Sequence, residues 1–189
     1  MAATATERRG QERPQRLFFA LWPAAASATV LWRWAQDLQS DCGGRMPPRA
    51  NLHLTLAFLG AVMPGRQRAL AALAATVAAK AAPFSLTLDR IGCWRRQGIV
   101  WAGSHDVPAA LRVLAARLDE GLRASGFTTE RRTFKPHVTL LRDAATSPRT
   151  MAVDPLHWTV NDVVLACSGR GAQGPRYEVI GSWPLTARL

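Results

Sequence analysis

The feature that most constrains this chain is an internal echo. One segment reads Asn51-Leu52-His53-Leu54-Thr55-Leu56-Ala57-Phe58-Leu59-Gly60 and another Lys135-Pro136-His137-Val138-Thr139-Leu140-Leu141-Arg142, so the same His-x-Thr-x pattern, with x apolar, recurs 84 residues apart. Alternating polar and apolar residues of this kind specify a half-buried β-strand. Side chains on a strand alternate faces. His53 and Thr55 therefore project together, as do His137 and Thr139, while Leu54, Leu56, Val138 and Leu140 turn into a core. Each half of the chain supplies one imidazole and one hydroxyl, and a fold that sets the two strands side by side brings all four to one surface.

The other elements follow from shorter signals. Leu17 to Leu21 is an apolar, aromatic run stopped by Pro23 and reads as a buried strand. Helical spacing marks Ser27 to Gln39, Pro64 to Lys80 and Pro108 to Ala124. Gly43-Gly44, Pro47-Pro48, Pro83 and Gly126 punctuate them. Strands are expected at Phe84 to Ile91, Ile99 to Ala102, Val163 to Ser168 and Tyr177 to Ser182, in addition to those carrying the two motifs. Clustered strands between three helices, without strict strand–helix alternation, imply an α+β fold with mainly antiparallel sheets. Residues 1 to 14 are small, polar and arginine-rich and are expected to be a disordered tail, leaving 15 to 189 as one domain.

Composition narrows the partners. The chain has 189 residues and a formal net charge of +11, and only Lys80 and Lys135 of its 24 basic residues are lysines. An arginine-rich balance suits phosphate-bearing partners, although arginine usage also follows base composition. Cys42, Cys93 and Cys167 are far apart and form neither a zinc spacing nor a disulfide pattern. With no secretory signal or membrane-length apolar run, they point to reduced thiols in a cytoplasmic protein. No glycine-rich dinucleotide or nucleotide-phosphate loop is present, so no cofactor is expected.

Two imidazoles and two hydroxyls suit the hydrolysis of a phosphodiester. One imidazole deprotonates water, the other protonates the leaving oxygen, and the hydroxyls donate to the non-bridging oxygens. Imidazole, with a pKa of ~6.5, serves in either role near neutral pH. Arg142, five residues after His137, is placed to clamp phosphate. A third match, His157-Trp158-Thr159-Val160, runs into Asn161-Asp162 and is read as incidental, with no longer apolar strand to carry it. His105, in a polar turn, has no partner pattern. Phe18, Phe19, Phe58, Trp94 and Trp101 are candidates to stack on a base but are expected mainly in the core. Arg95, Arg96, Arg131 and Arg132 are candidate rim residues.

On Gln15 to Leu21, Asn51 to Gly60 and Pro136 to Asp143, in that order, the chain resembles the two-histidine phosphoesterase superfamily. Within it, the likeness is to the RNA 2′,3′-cyclic phosphodiesterases, also described as 2′-5′ RNA ligases. The resemblance implies a bilobal α+β fold: two mainly antiparallel sheets related by pseudo-two-fold symmetry around a central cleft, with helices outside. It implies metal-independent hydrolysis of RNA 2′,3′-cyclic phosphate ends to 2′-phosphates. His53 would be the proton donor, His137 the proton acceptor, and Thr55 and Thr139 the phosphate-binding residues. Cyclic-ended RNA or small cyclic nucleotides are the expected partners of a monomer. Reversible 2′-5′ ligation at the same site and a non-catalytic basic RNA-binding protein are the alternatives.

Overall fold

A computed structural model describes residues 13–130, 133–149, 152–171 and 174–187. The expected tail lies mostly outside the described residues, as do Arg131 and Arg132. Eight strands are present: β1 Gln15–Leu21, β2 Leu54–Val62, β3 Phe84–Trp94, β4 Ile99–Gly103, β5 Val138–Leu141, β6 Ala152–Val160, β7 Asp162–Gly171 and β8 Gly174–Pro184. Three helices accompany them: α1 Ala25–Cys42, α2 Gln67–Ala79 and α3 Ala109–Ala124. All strand pairings are antiparallel, and the order across the sheet is β6-β3-β4-β5-β2-β1-β7-β8.

The order runs outward in matching fashion from the centre. β1-α1-β2 forms one strand–helix–strand unit and β4-α3-β5 the other, and β2 and β5 meet in the middle. The two sheets expected from the sequence are the four-stranded halves of one ladder. They are joined where a single register pair, Leu54 with Val138, links β2 to β5. No further register pair joins β2 to β5 among the described residues; the sheet face opposite the core along this seam is its cleft face.

Each helix buries one stripe on the same core. Leu31, Ala35, Leu38 and Cys42 of α1, Leu70, Ala74, Val77 and Ala78 of α2, and Leu111, Leu114, Leu118 and Leu122 of α3 recur at three- and four-residue spacing. They meet Leu17, Phe19 and Leu21 of β1, Leu54 and Leu56 of β2, Leu86 and Leu88 of β3, and Val138 and Leu140 of β5. The opposite face of the sheet carries the histidines. No helix among the described residues is long and apolar enough to cross a membrane.

The sequence reading missed β6 altogether. Its burial alternates only toward its end, where Trp158 and Val160 enter the core, and Pro155 interrupts the apolar pattern. An edge strand tolerates that proline because one side of its backbone needs no partner. His157 therefore does lie on a strand, opposite Thr87 of β3, but at the far edge of the sheet from His53 and His137.

Because Leu54 is fully buried at the one pair joining the halves, Leu54→Ala is expected to lower unfolding stability by roughly 2–5 kcal/mol. Urea denaturation followed by circular dichroism measures this. A loss below about 1 kcal/mol would mean the seam is not held by core packing.

Candidate functional site

The pairing of Leu54 with Val138 dictates the site. In an antiparallel pair the residue after one partner faces the residue before the other, so Thr55 faces His137 and His53 faces Thr139. Leu54 and Val138 point into the core at no measurable exposure, which turns these four neighbours to the opposite face. Imidazole and hydroxyl alternate around the quartet, with the two imidazoles on its diagonal. They are near enough that the charge of His137 acts on His53.

Both rings are oriented by the same device. His53 Nδ1 donates to the carbonyl of Asn51 at 2.6 Å, and His137 Nδ1 to the carbonyl of Lys135 at 2.7 Å. A carbonyl can only accept, so Nδ1 carries the hydrogen in each ring and Nε2 is left for exchange with a ligand. His53 Nε2 accepts from the Thr55 hydroxyl at 3.0 Å. His137 Nε2 has no hydrogen-bond partner among the described residues.

The surroundings of the two rings differ. Trp22 stacks on His53 at 5.2 Å with 15° between planes, Phe18 lies at 5.0 Å, and Tyr177 meets it edge-on at 5.2 Å. His137 meets Trp94 edge-on at 4.6 Å. The His53 pKa is accordingly pushed down to about 4: burial disfavours the cation most, the Asn51 carbonyl opposes this, and the charges of His137 and Arg142 add to the lowering. The His137 pKa is also lowered, first by burial and then by Arg142, against the pull of the Lys135 carbonyl.

The Arg142 side chain is exposed, and its charge lowers the pKa of both imidazoles. Its backbone is held by a two-way bridge: Arg45 N–H donates to the Arg142 carbonyl at 2.7 Å, and Arg142 N–H to the Arg45 carbonyl at 2.9 Å. Gly44 makes the approach possible. A Cβ there would sit 2.6 Å from the Arg142 carbonyl oxygen, and its φ is +84°.

Several residues around the site escaped the sequence reading. Asn51 is buried, its amide donates to the Pro175 carbonyl at 2.6 Å, and its Oδ1 accepts from Tyr177 N–H at 3.3 Å. It thus ties the turn before His53 to β8. Trp22 and Tyr177 were missed because they reach His53 from just beyond β1 and from β8. Of the candidate stackers, Phe19 is in the core as expected, and Phe18 is buried but on the cleft face. Trp94 and Trp101 are half-buried on the cleft face, contrary to expectation. Arg95 and Arg96 are exposed in the turn between β3 and β4, with Arg95 donating to Ser147. Among the described residues no group of three or more His, Cys, Asp or Glu side chains is gathered as a metal-ligand set.

The model of the 2′-5′ RNA ligase superfamily matches residues 28–172. The chain belongs to that superfamily. It is 37% identical over 175 residues to the RNA 2′,3′-cyclic phosphodiesterase of Escherichia coli, covering 92% of this chain and 98% of that one. It is 31% identical over 183 residues to the enzyme of the same name from Thermus thermophilus, covering 90% of each. Among solved structures, E. coli LigT complexed with 3′-AMP superposes with a TM-score of 0.85 at 35% identity, over 92% of this chain and 99% of that one.

The pKa shifts predict a pH response. Followed by NMR, the His53 ring should titrate with a midpoint near 4, and His137 below the ~6.5 of free imidazole. Above ~6.5 the folded and unfolded forms of His53 are both neutral. Between ~6.5 and 4 the unfolded chain takes up a proton that the fold resists, so stability falls as pH falls through that window. His53→Gln should flatten this slope. A midpoint at or above 6.5 for His53 would show that its aromatic surroundings do not desolvate it.

Proposed function

We propose that this chain opens RNA 2′,3′-cyclic phosphate ends to 2′-phosphates by general acid–base catalysis. The observation that carries the reading is the alternating quartet of His53, Thr139, His137 and Thr55, with both Nδ1–H groups tied back to carbonyls. Its setting is a family whose relatives bear the name RNA 2′,3′-cyclic phosphodiesterase.

In this mechanism His137 Nε2, free of a protein partner, takes a proton from water as the oxygen attacks phosphorus. The 3′-oxygen–phosphorus bond breaks, and His53 Nε2 delivers a proton to the 3′-oxygen. Thr55 and Thr139 donate hydroxyl hydrogens to the non-bridging oxygens, and Arg142 neutralises the charge that builds on them. Burial favours the neutral form of His53, so its donor role depends on the phosphate anion, which stabilises the imidazolium on arrival. The metal-independent reading is supported by the donor set, two imidazoles with hydroxyls and, among the described residues, no gathered carboxylates. The free thiols of Cys42, Cys93 and Cys167 fit a reducing compartment such as the cytoplasm. The same groups run in reverse would join a 5′-hydroxyl to the cyclic end through a 2′-5′ bond, and in water hydrolysis prevails.

His53→Ala and His137→Ala should each lower kcat at least ~10²-fold on a cyclic-ended oligonucleotide while retaining a native circular dichroism spectrum. A substrate with sulfur in place of the 3′-oxygen expels its leaving group without protonation. It should restore His53→Ala but not His137→Ala; restoration of the latter alone would exchange the two roles. EDTA should leave the rate unchanged, and chelator-sensitive turnover restored by added metal would refute the metal-free reading. Both imidazoles lose their protons below the usual range, so kcat/KM should fall about tenfold per pH unit above ~6.5. A plateau through pH 8 would contradict the requirement for one protonated ring.

A further inference from the structure

β3 changes phase midway. Its pairing with β6 shifts register between Leu88 and Arg90, where Asp89 alone lies opposite Val153, Asp154 and Pro155 of β6. Leu86 and Leu88 face the core, so regular alternation would send Arg90 inward. The alternation breaks at Asp89 instead: Ile91 is buried, and Arg90, Gly92 and Trp94 come to the cleft face. The break is pinned by His105, whose backbone N–H lies 2.8 Å and ring Nδ1 3.1 Å from Asp89 Oδ1.

A continuous row results. Thr139 of the quartet pairs with Trp101 of β4, and Trp101 with Gly92 of β3. The Trp101 indole lies flat on the sheet, where a Cβ on Gly92 would come within 2.0 Å of the ring and one on Gly103 within 2.7 Å. The Arg90 guanidinium sits 5.4 Å from the Trp101 ring centre, and Trp94 is packed between Trp101 and His137. From β5 to β3 the row spans two strand spacings, about 10 Å.

The core, on the other side of the sheet, does not require this arrangement. It needs two glycines and a change of phase, and it leaves the buried Trp101 indole N–H without a partner among the described residues, which is costly for a fold. On the other half the cleft face is filled by its own side chains: Phe18, Ala20, Val164 and Ala166 are all buried.

We propose that this face of β3 and β4 is a subsite for the nucleotide adjoining the cyclic end. Its base stacks on Trp101 and its phosphodiester pairs with Arg90. The inference rests on the proposed function and extends it: the substrate is a polynucleotide end rather than a lone cyclic nucleotide.

The test compares three substrates: uridine 2′,3′-cyclic phosphate, a trinucleotide with the same cyclic end, and that trinucleotide with its penultimate base removed. The intact trinucleotide should exceed the mononucleotide in kcat/KM at least tenfold, and the abasic one should lose most of that advantage. Arg90→Gln should raise KM about tenfold for the trinucleotide and leave the mononucleotide unchanged; Trp101→Leu should abolish the dependence on the penultimate base. Equal wild-type kcat/KM on all three substrates would overturn the subsite, as would an Arg90→Gln loss shared equally by mononucleotide and trinucleotide. Calorimetric binding of a 2′-phosphate-ended trinucleotide separates the two readings. Absence of turnover on every substrate defeats the hydrolytic reading, and the subsite still stands or falls on whether Arg90→Gln weakens that binding about tenfold at fixed salt.

Discussion

The contact of Leu54 with Val138 is the constraint on which the rest of the molecule depends. Two fully buried side chains from the inner strands of the two halves meet at one register position. Their burial is a nondirectional hydrophobic gain, of order 1.5–3 kcal/mol for each side chain. The ladder through which it acts is directional. Once these two residues face the core, antiparallel geometry turns His53, Thr55, His137 and Thr139 to the other face in alternating order.

The site is built by backbone more than by charge. Each imidazole is held by a carbonyl two residues upstream, a contact that sets the tautomer without placing a carboxylate beside the ring. A carboxylate there would raise the ring's pKa, whereas a carbonyl in a buried setting leaves desolvation in command, and both rings are shifted downward. In the proposed reaction the imidazolium forms as the anionic ligand binds, which makes proton state and occupancy interdependent. Asn51 extends this backbone construction outward, tying the carbonyl that orients His53 to the strand that carries Tyr177.

The legibility of the fold varied with the strength of the local signal. The three helices were readable because their apolar stripes are long and periodic, and β1, β2 and β5 because their runs are apolar and bounded by proline or glycine. β6 was not readable: a half-exposed edge strand interrupted by proline carries little alternation. His157 and His105 had no visible purpose in one dimension. In three, His157 pairs with Thr87 across an edge, and His105 secures the change of phase sixteen residues upstream. Trp94 and Trp101 were expected inside because large aromatics are usually buried. The change of phase in β3 at Asp89 and the cross-strand Gly92 beneath Trp101 put them on the cleft face, and neither carries a sequence signature of its own.

The sequence alone determined which residues share a face. A period-two pattern places His with Thr and apart from the intervening apolar residues wherever the strand goes, because the alternation is a property of the extended backbone itself. It also determined that each half carries the pattern within a strongly apolar run, His53 in one and His137 in the other. Only the tertiary structure decided that the halves meet at Leu54 and Val138, that aromatic rings from β1 and β8 enclose one histidine, and that the charge of Arg142 acts on both imidazoles. Those outcomes depend on contacts between residues far apart along the chain, whose partners are selected by the packing of the whole core and not by any local pattern.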